Sequence, residues 1–413
     1  KAIVSLCSTL DPFSGHGARA LRIAKNLAEG GFQVKLVGFS SYHSQDTISK
    51  VLYDELRDLS NRVSIIPIKL EETQYKLFEG YFSNAYLELL RALCLLPAAF
   101  IHNLLIQNIK PGILIVCSGH PILRFSSNIL NNAKLVVDLQ DVLFEAAPYM
   151  RGWTNRHIFS IILKSLEINQ LKSSEGIITV SWTIAKYLQT LLKDKEIIVC
   201  PNTPTKSELL LLDTLLDKVN TPLLNYVSES SKIKLIYLGK LEPRIRGLEE
   251  LCKVITGLPL RIKEKLLFIF IGDGVLKNHI ESHLRKNNVE VILTGKLQRI
   301  EALAIAKRCD AALLPYPIAE LASIRGALPS KLFEYAYLGL PIIMPRLPDS
   351  LRVAGELAIS YNNLIELKGI LSNFHNFSSI NVHVKKKVRD RLLREYVWDV
   401  FGKKLIEFFQ RED

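Results

Sequence analysis

Ser330, Lys331 and Glu334 fall within one helical turn, between Pro329 and a Gly339-Leu340-Pro341 exit into Ile342 and Ile343. In that pattern Ser330 caps a helix and leaves its first backbone N–H groups, and the positive end of its dipole, facing an anion. Glu334 then sits one turn in, placed to accept hydrogen bonds from a ribose or sugar hydroxyl. Gly339 and Pro341 end the helix and feed the next strand. Taken alone, the same residues also fit an ordinary capped helix. Three cations, Lys240, Arg244 and Arg246, follow another apolar run in a loop that holds Glu242 and Pro243 and begins at Gly239. They suit a diphosphate, whose negative charge grows when a glycosyl–phosphate bond breaks and must be met by fixed cations or helix termini. A solvated basic loop is the plain alternative, strongest for Arg244.

Gly15 and Gly17 follow the first apolar run and let the backbone approach a phosphate or sugar closely, opening a helix N-terminus toward it. Ala20 stands where a dinucleotide fingerprint has its third glycine, and no acidic residue clearly ends the second strand, so NAD is disfavoured. A tight strand-to-helix turn explains the two glycines equally well. His120, in Ser118-Gly119-His120-Pro121 just past the run Ile113–Cys117, lies on the loop edge where a polar group touches a bound sugar. A satisfied structural histidine is its plain alternative.

These residues need a scaffold that brings loops together. With 413 residues, 48% of them apolar, the chain exceeds one typical core, and two domains are expected. Lys and Arg number 53 against 41 Asp and Glu, a net charge of +12 that calls for an anionic partner: nucleotide phosphates, an acidic membrane surface or nucleic acid. Six cysteines without a C-x-x-C pair point to a reducing cytosol and no zinc. The chain opens on Lys1, yet Ala2 to Leu6 reads as a strand rather than a signal peptide, so only its start is expected to be missing. The apolar stretch from Tyr86 to Ile109 carries Glu88, Arg91, Pro97, His102 and Asn103, and reads as a buried helix face rather than a membrane span.

Short apolar runs alternate with helical segments in both halves, the pattern of two doubly wound α/β domains. The first half offers strands at Ala2–Cys7, Gln33–Gly38, Ile113–Cys117, Leu135–Asp138, Gly176–Val180 and Ile197–Cys200. The second offers Lys234–Leu238, Leu267–Ile271, Glu290–Leu293, Ala311–Leu314 and Pro341–Met344. Residues 1–200 are therefore expected as the first domain, 201–231 as a linker rich in Pro, Asn, Thr and Ser, and 232–384 as the second domain. Residues 385–413 are expected as basic and amphipathic C-terminal helices that return to the first domain. Parallel sheets bind ligands at their carboxyl edges, so donor and acceptor would be divided between the domains across a cleft.

On these residues the chain resembles a GT-B glycosyltransferase of the retaining family 4 type. The resemblance runs essentially end to end. It is carried by the Asp11–Arg19 loop, the Asp138–Glu145 run, Pro201-Asn202, Gly239-Lys240 to Arg246-Gly247, Gly272-Asp273-Gly274, the Pro329–Tyr335 stretch, and Trp398, which is similar to the start of that family's crossover helix. It implies transfer of a hexose or N-acetylhexosamine from a nucleoside-diphosphate sugar, UDP favoured and GDP the second choice, to a glycan or lipid-linked acceptor. Lys240 and Arg246 would hold the diphosphate, with Gly272 and Gly274 shaping the donor pocket and Glu334 on the ribose. His120 would support the sugar. Asp141 would contact the acceptor or act as general base, with Asp138 structural. Retention by front-face attack needs no protein nucleophile, and Lys and Arg replace a divalent metal. The resemblance departs at Gly326, where many members carry the first of two glutamates seven residues apart; its absence implies an altered sugar, and the Pro-Ser-Lys subtype often lacks that glutamate too. A cytoplasmic location follows, with peripheral attachment to an anionic membrane surface kept open and no nucleic acid expected. The alternatives are a nucleotide-sugar epimerase on the same fold, or a non-catalytic basic protein that binds nucleic acid or acidic glycan through Lys385 to Arg394.

Overall fold

The structure, a computed structural model, describes residues 2–7, 15–40, 56–69, 104, 106–109, 111–117, 133–142, 144, 156–243, 246–318, 325–374 and 380–411. His120, Arg244, the Asp11–Ser14 part of the first loop and nearly all of the Tyr86–Ile109 stretch lie outside the described residues. The chain divides into two compact units, Lys1–Asn202 with Trp398–Asp413, and Thr203–Val397.

The first unit is built on a parallel sheet of β1 (Ala2–Cys7), β2 (Gln33–Ser40), β3 (Val63–Lys69), β4 (Ile113–Cys117), β5 (Lys134–Leu139), β6 (Gly176–Thr179) and β7 (Glu196–Val199), in the order β3-β2-β1-β4-β5-β6-β7. Its helices include α1 (Gly15–Glu29), α2 (Arg156–Ser173) and α3 (Trp182–Leu191). The second unit starts with α4 (Lys206–Leu215) and α5 (Pro222–Glu229). Its sheet holds β8 (Ile233–Leu238), β9 (Leu266–Ile271), β10 (Val291–Gly295), β11 (Ala311–Leu313), β12 (Ile342–Pro345) and β13 (Ala358–Tyr361), in the order β10-β9-β8-β11-β12-β13. Around it lie α6 (Leu248–Thr256), α7 (Lys277–Lys286), α8 (Arg299–Lys307), α9 (Ser330–Leu338), α10 (Pro348–Ala354), α11 (Leu364–Ser372) and α12 (Val382–Glu395). The last helix, α13 (Trp398–Gln410), belongs to the first unit.

Both strand orders run outward from a central pair, β1/β4 and β8/β11, as in a doubly wound sheet covered by helices on both faces. That is why these strands are continuous apolar runs: all six residues of β9, Leu-Leu-Phe-Ile-Phe-Ile, are buried. Two edge strands carry weaker sequence signals. β3 contains Pro67, which lacks a ladder donor, and β13 has only four residues, three of them partly exposed.

The expected linker is part of the second unit. Thr205 caps α4 in a capping box with Glu208, and Thr221 caps α5 with Pro222 at its first turn, so the polar residues of 201–231 start helices. The expected return to the first unit also begins later than residue 385. α12 packs against α9 within the second unit, and the Thr203 hydroxyl donates to the Tyr396 carbonyl, pinning the first residue of that unit beside its end. From Trp398 onward α13 lies along α1. Trp398, Phe401, Phe408 and Phe409 are buried there, and Gly402 admits the Asn26 side chain into space that a Cβ would fill.

One buried ion pair ties this unit together. Arg19 and Asp138 have fully buried side chains; Arg19 Nε lies 2.9 and 2.7 Å from the two Asp138 oxygens and Nη2 lies 2.6 Å from Oδ1. Nη1 donates to the Cys200 carbonyl (2.5 Å) and to Asn202 Oδ1 (3.1 Å), while the guanidinium lies 5.5 Å from the Trp398 ring centre. A fork-shaped guanidinium thus joins the ends of β5 and β7 to α13. Removing one partner leaves a buried charge unpaired, so Arg19→Met is expected to cost about 3–5 kcal/mol in urea unfolding. The Arg19→Met/Asp138→Leu double variant is expected to lose less than that single change.

Candidate functional site

In the second unit the strand order reverses between β8 and β11, and open parallel sheets bind ligands beyond the carboxyl ends of their strands at such a point. β8 leaves the sheet through Gly239, and β9 through Gly272 and Gly274. Their φ angles are +143°, +145° and +153°. A Cβ on Gly272 would overlap the Gly239 carbonyl, and one on Gly274 would overlap the Leu241 carbonyl, so the two loops meet backbone to backbone. The Gly239 N–H donates to Ile271 O (2.9 Å) and the Leu241 N–H to Asp273 O (2.8 Å). Only glycine supplies both this conformation and this closeness.

α9 starts beside these loops. Its cap is Pro329 rather than Ser330, because the proline ring fixes the extended entry and its carbonyl accepts the Leu332 N–H (2.9 Å). Ser330 is the exposed first helical residue, and among the described residues no side chain caps the helix. Apart from the Leu332 N–H, the first-turn N–H groups and the positive dipole end are therefore available to an anion.

Lys331 reaches back from that turn over β8. Its Nζ donates to the Leu238 carbonyl (2.5 Å), lies 4.4 Å from the Tyr237 ring centre, and occupies the place a side chain on Gly239 would take. The residue keeps partial exposure, yet burial of its ammonium pulls the pKa well below the ordinary lysine value; the nearby Arg246 charge lowers it further and Glu334 opposes the shift. Arg246, at the end of the β8 loop, donates to the Tyr316 hydroxyl beyond β11 (3.2 Å), which bridges the reversal point. Its Nε is buried with no hydrogen-bond partner among the described residues, a donor suited to a phosphate oxygen. Lys240 is exposed, and its carbonyl accepts from the Tyr237 hydroxyl (2.9 Å).

Glu334 is buried on the next turn of α9 and is held by Arg299 from the start of α8. Arg299 Nε lies 2.6 Å and Nη2 2.5 Å from the same carboxylate oxygen, Oε1. The structure thus brings Gly239, Gly272, Gly274, Arg246, Lys331 and Glu334 to one sheet edge, with Ser330 at its helix terminus. Gly15, Gly17 and Asp141 belong to the first unit. Gly15 and Gly17 lie in the first turn of α1 rather than in the preceding loop, and Asp141 is exposed just past β5. Asp138 has the structural role expected of it. Sequence reasoning missed Arg299, Tyr237 and Tyr316, whose partners lie across the fold without a local spacing rule.

The segment 232–363 matches the model of the glycosyl transferases group 1 family, and it contains every one of these second-unit residues. A sucrose-phosphate synthase from Thermosynechococcus elongatus superposes with a TM-score of 0.68 at 12% identity, over 100% of this chain and 98% of that one. The Anabaena protein HepE in complex with UDP and glucose superposes at 0.63, with 12% identity and 99% of both chains covered. The fold is GT-B. An uncharacterized glycosyltransferase of Methanocaldococcus jannaschii is 27% identical over 179 residues, which cover 39% of this chain and 44% of that relative's length. Among the described residues no helix is long and apolar enough to cross a membrane.

Two outcomes follow from the geometry. Gly272→Ala forces a Cβ into the Gly239 carbonyl at a strained φ, and is expected to lower the melting temperature and weaken pyrophosphate binding in calorimetry. Lys331 is neutral in the free protein between its lowered pKa and the ordinary lysine value, whereas an anion beside it favours the charged form. Pyrophosphate binding in that pH window is therefore expected to take up a proton and to weaken as pH rises. Calorimetry in buffers of different ionisation enthalpy reads the uptake, which Lys331→Met should abolish.

Proposed function

We propose that this protein is a retaining glycosyltransferase that moves a hexose or N-acetylhexosamine from a nucleoside-diphosphate sugar to a glycan or lipid-linked acceptor. The observation that carries this reading is the pairing of an uncapped helix N-terminus with Arg246 and Lys331 at the reversal point of a sheet whose segment matches a glycosyltransferase family. Breaking the glycosyl bond leaves a nucleoside diphosphate with one more negative charge. Preorganised N–H groups and cations there stabilise that charge as it develops. Lys240 and Arg246 hold the two phosphates, Arg244 adds charge from the same loop, Ser330 and Lys331 supply the helix end, and Glu334 accepts from the ribose.

The acceptor hydroxyl attacks the anomeric carbon on the face the phosphate leaves, a carbon–oxygen bond replaces the glycosyl–phosphate bond, and the hydroxyl proton passes to the departing phosphate oxygen. His120 supports the sugar, and Asp141 contacts the acceptor or assists that proton as a base. Gly326 leaves the donor sugar without the carboxylate found at the corresponding place in many relatives, which favours a sugar lacking or masking one hydroxyl. The nucleotide is a UDP-sugar in preference to a GDP-sugar, in keeping with the UDP in the HepE complex. The protein works in the cytoplasm, and attachment to an anionic membrane surface would bring it to a lipid-linked acceptor.

Part of the basic run is engaged within the second unit. Lys387 pairs with Glu356, Arg389 with Asp213 and the Tyr337 hydroxyl, and Arg391 donates to the Arg352 and Val353 carbonyls. Donor hydrolysis and transfer measured for Lys240→Ala, Arg246→Ala and Glu334→Ala test the proposal. Each is expected to lower kcat/KM by about ten- to hundredfold, the worth of a lost hydrogen bond to a charged group, and full activity in all three rejects the assignment. A thermal-shift screen of UDP-, GDP-, ADP- and dTDP-sugars is expected to give its largest rise with a UDP-sugar.

A further inference from the structure

We infer that Arg299 is a positioning residue that gives the site its preference for ribose: by holding Glu334 Oε1 with two N–H groups, it fixes the carboxylate so that Oε2 alone receives the hydroxyls of the bound nucleotide. The inference rests on the donor-site reading above.

An unrestrained glutamate would chelate a vicinal diol with both oxygens. Here one oxygen is already taken, since Arg299 Nε and Nη2 converge on Oε1 at 2.6 and 2.5 Å. Both bonds fall on Oε1, and Oε2 has no hydrogen-bond partner among the described residues, which leaves its accepting capacity free. Two N–H groups of one rigid guanidinium meet at a single oxygen, so they fix the place of Oε1 and leave Oε2 as the oxygen not engaged by the cation. The Glu334 side chain is 9% exposed and that of Arg299 27% exposed, so the carboxylate is walled in and the guanidinium forms the rim. The two side chains come from different elements. Arg299 is the first residue of α8, after β10, and Glu334 lies one turn into α9, which starts beside the exit of β8. Glu334 stands four residues along α9 from Ser330, about 6 Å of helix rise, the reach from a diphosphate to the sugar next to it, which in a nucleotide is ribose.

Calorimetric titration with UDP and with 2′,3′-dideoxy-UDP, on the wild-type protein, Arg299→Met and Arg299→Lys, tests this. The wild-type protein is expected to bind UDP about ten- to hundredfold more tightly than the dideoxy nucleotide. Arg299→Met is expected to weaken UDP by a similar factor while leaving the dideoxy affinity unchanged, which also certifies that the variant is folded. Arg299→Lys keeps the charge but supplies no planar pair of donors, and is expected to recover only part of the UDP preference. Equal weakening of both nucleotides in Arg299→Met and Arg299→Lys, or no change in either variant, overturns the positioning role. A wild-type protein that binds both nucleotides equally overturns the ribose contact itself. A wild-type protein that binds neither overturns the donor-site reading, a failure distinct from the other two.

Discussion

The close approach of the β8 and β9 exits is the constraint on which the second unit's site depends. Gly239 and Gly272 touch through their backbones, and no residue with a side chain fits at 272. The space left beside Gly239 is what lets Lys331 cross from α9 to the Leu238 carbonyl. That ammonium stands over Tyr237, and the Tyr237 hydroxyl in turn holds the Lys240 carbonyl, so the cation loop is anchored to the strand it leaves. Parallel topology aims these groups at one edge, and glycine geometry sets how near to one another they stand.

The electrostatics of that edge are deliberately incomplete. Arg246 disfavours the charged form of Lys331, and among the described residues Arg246 Nε lacks a partner and α9 begins without a side-chain cap. Each of these costs stability in the free protein, and an anion relieves all three together. The first unit solves the same problem in the opposite way. Its buried cation, Arg19, has Asp138, the Cys200 carbonyl and Asn202 as partners, so it is spent on holding β5, β7 and α13 in place. Two sheets of like order thus use buried arginine for different ends, one satisfied and structural, the other open and available.

Much of this was legible in the amino-acid order. Strands buried on both faces, such as Leu266–Ile271, declare themselves as apolar runs, and the glycines at 239, 272 and 274 mark where chains must pass closely. The edge strands β3 and β13 were not legible: Pro67 breaks the pattern of the one, and the other is too short to show a pattern. Thr205 and Thr221 read as linker residues because capping and looping favour the same side chains. The partners of the basic run of α12, Asp213 and Glu356, were not legible because they lie far away in sequence. Arg299 was invisible for the same reason, since an ion pair 35 residues apart across two helices leaves no spacing to find.

A crystal structure of the protein with UDP tests the central claim most directly. The account places both phosphates within hydrogen-bond distance of the α9 N-terminus, Lys331 and the Arg246 guanidinium, with the ribose on Glu334. UDP held elsewhere in the crystal, with that helix end and those cations untouched, would contradict it.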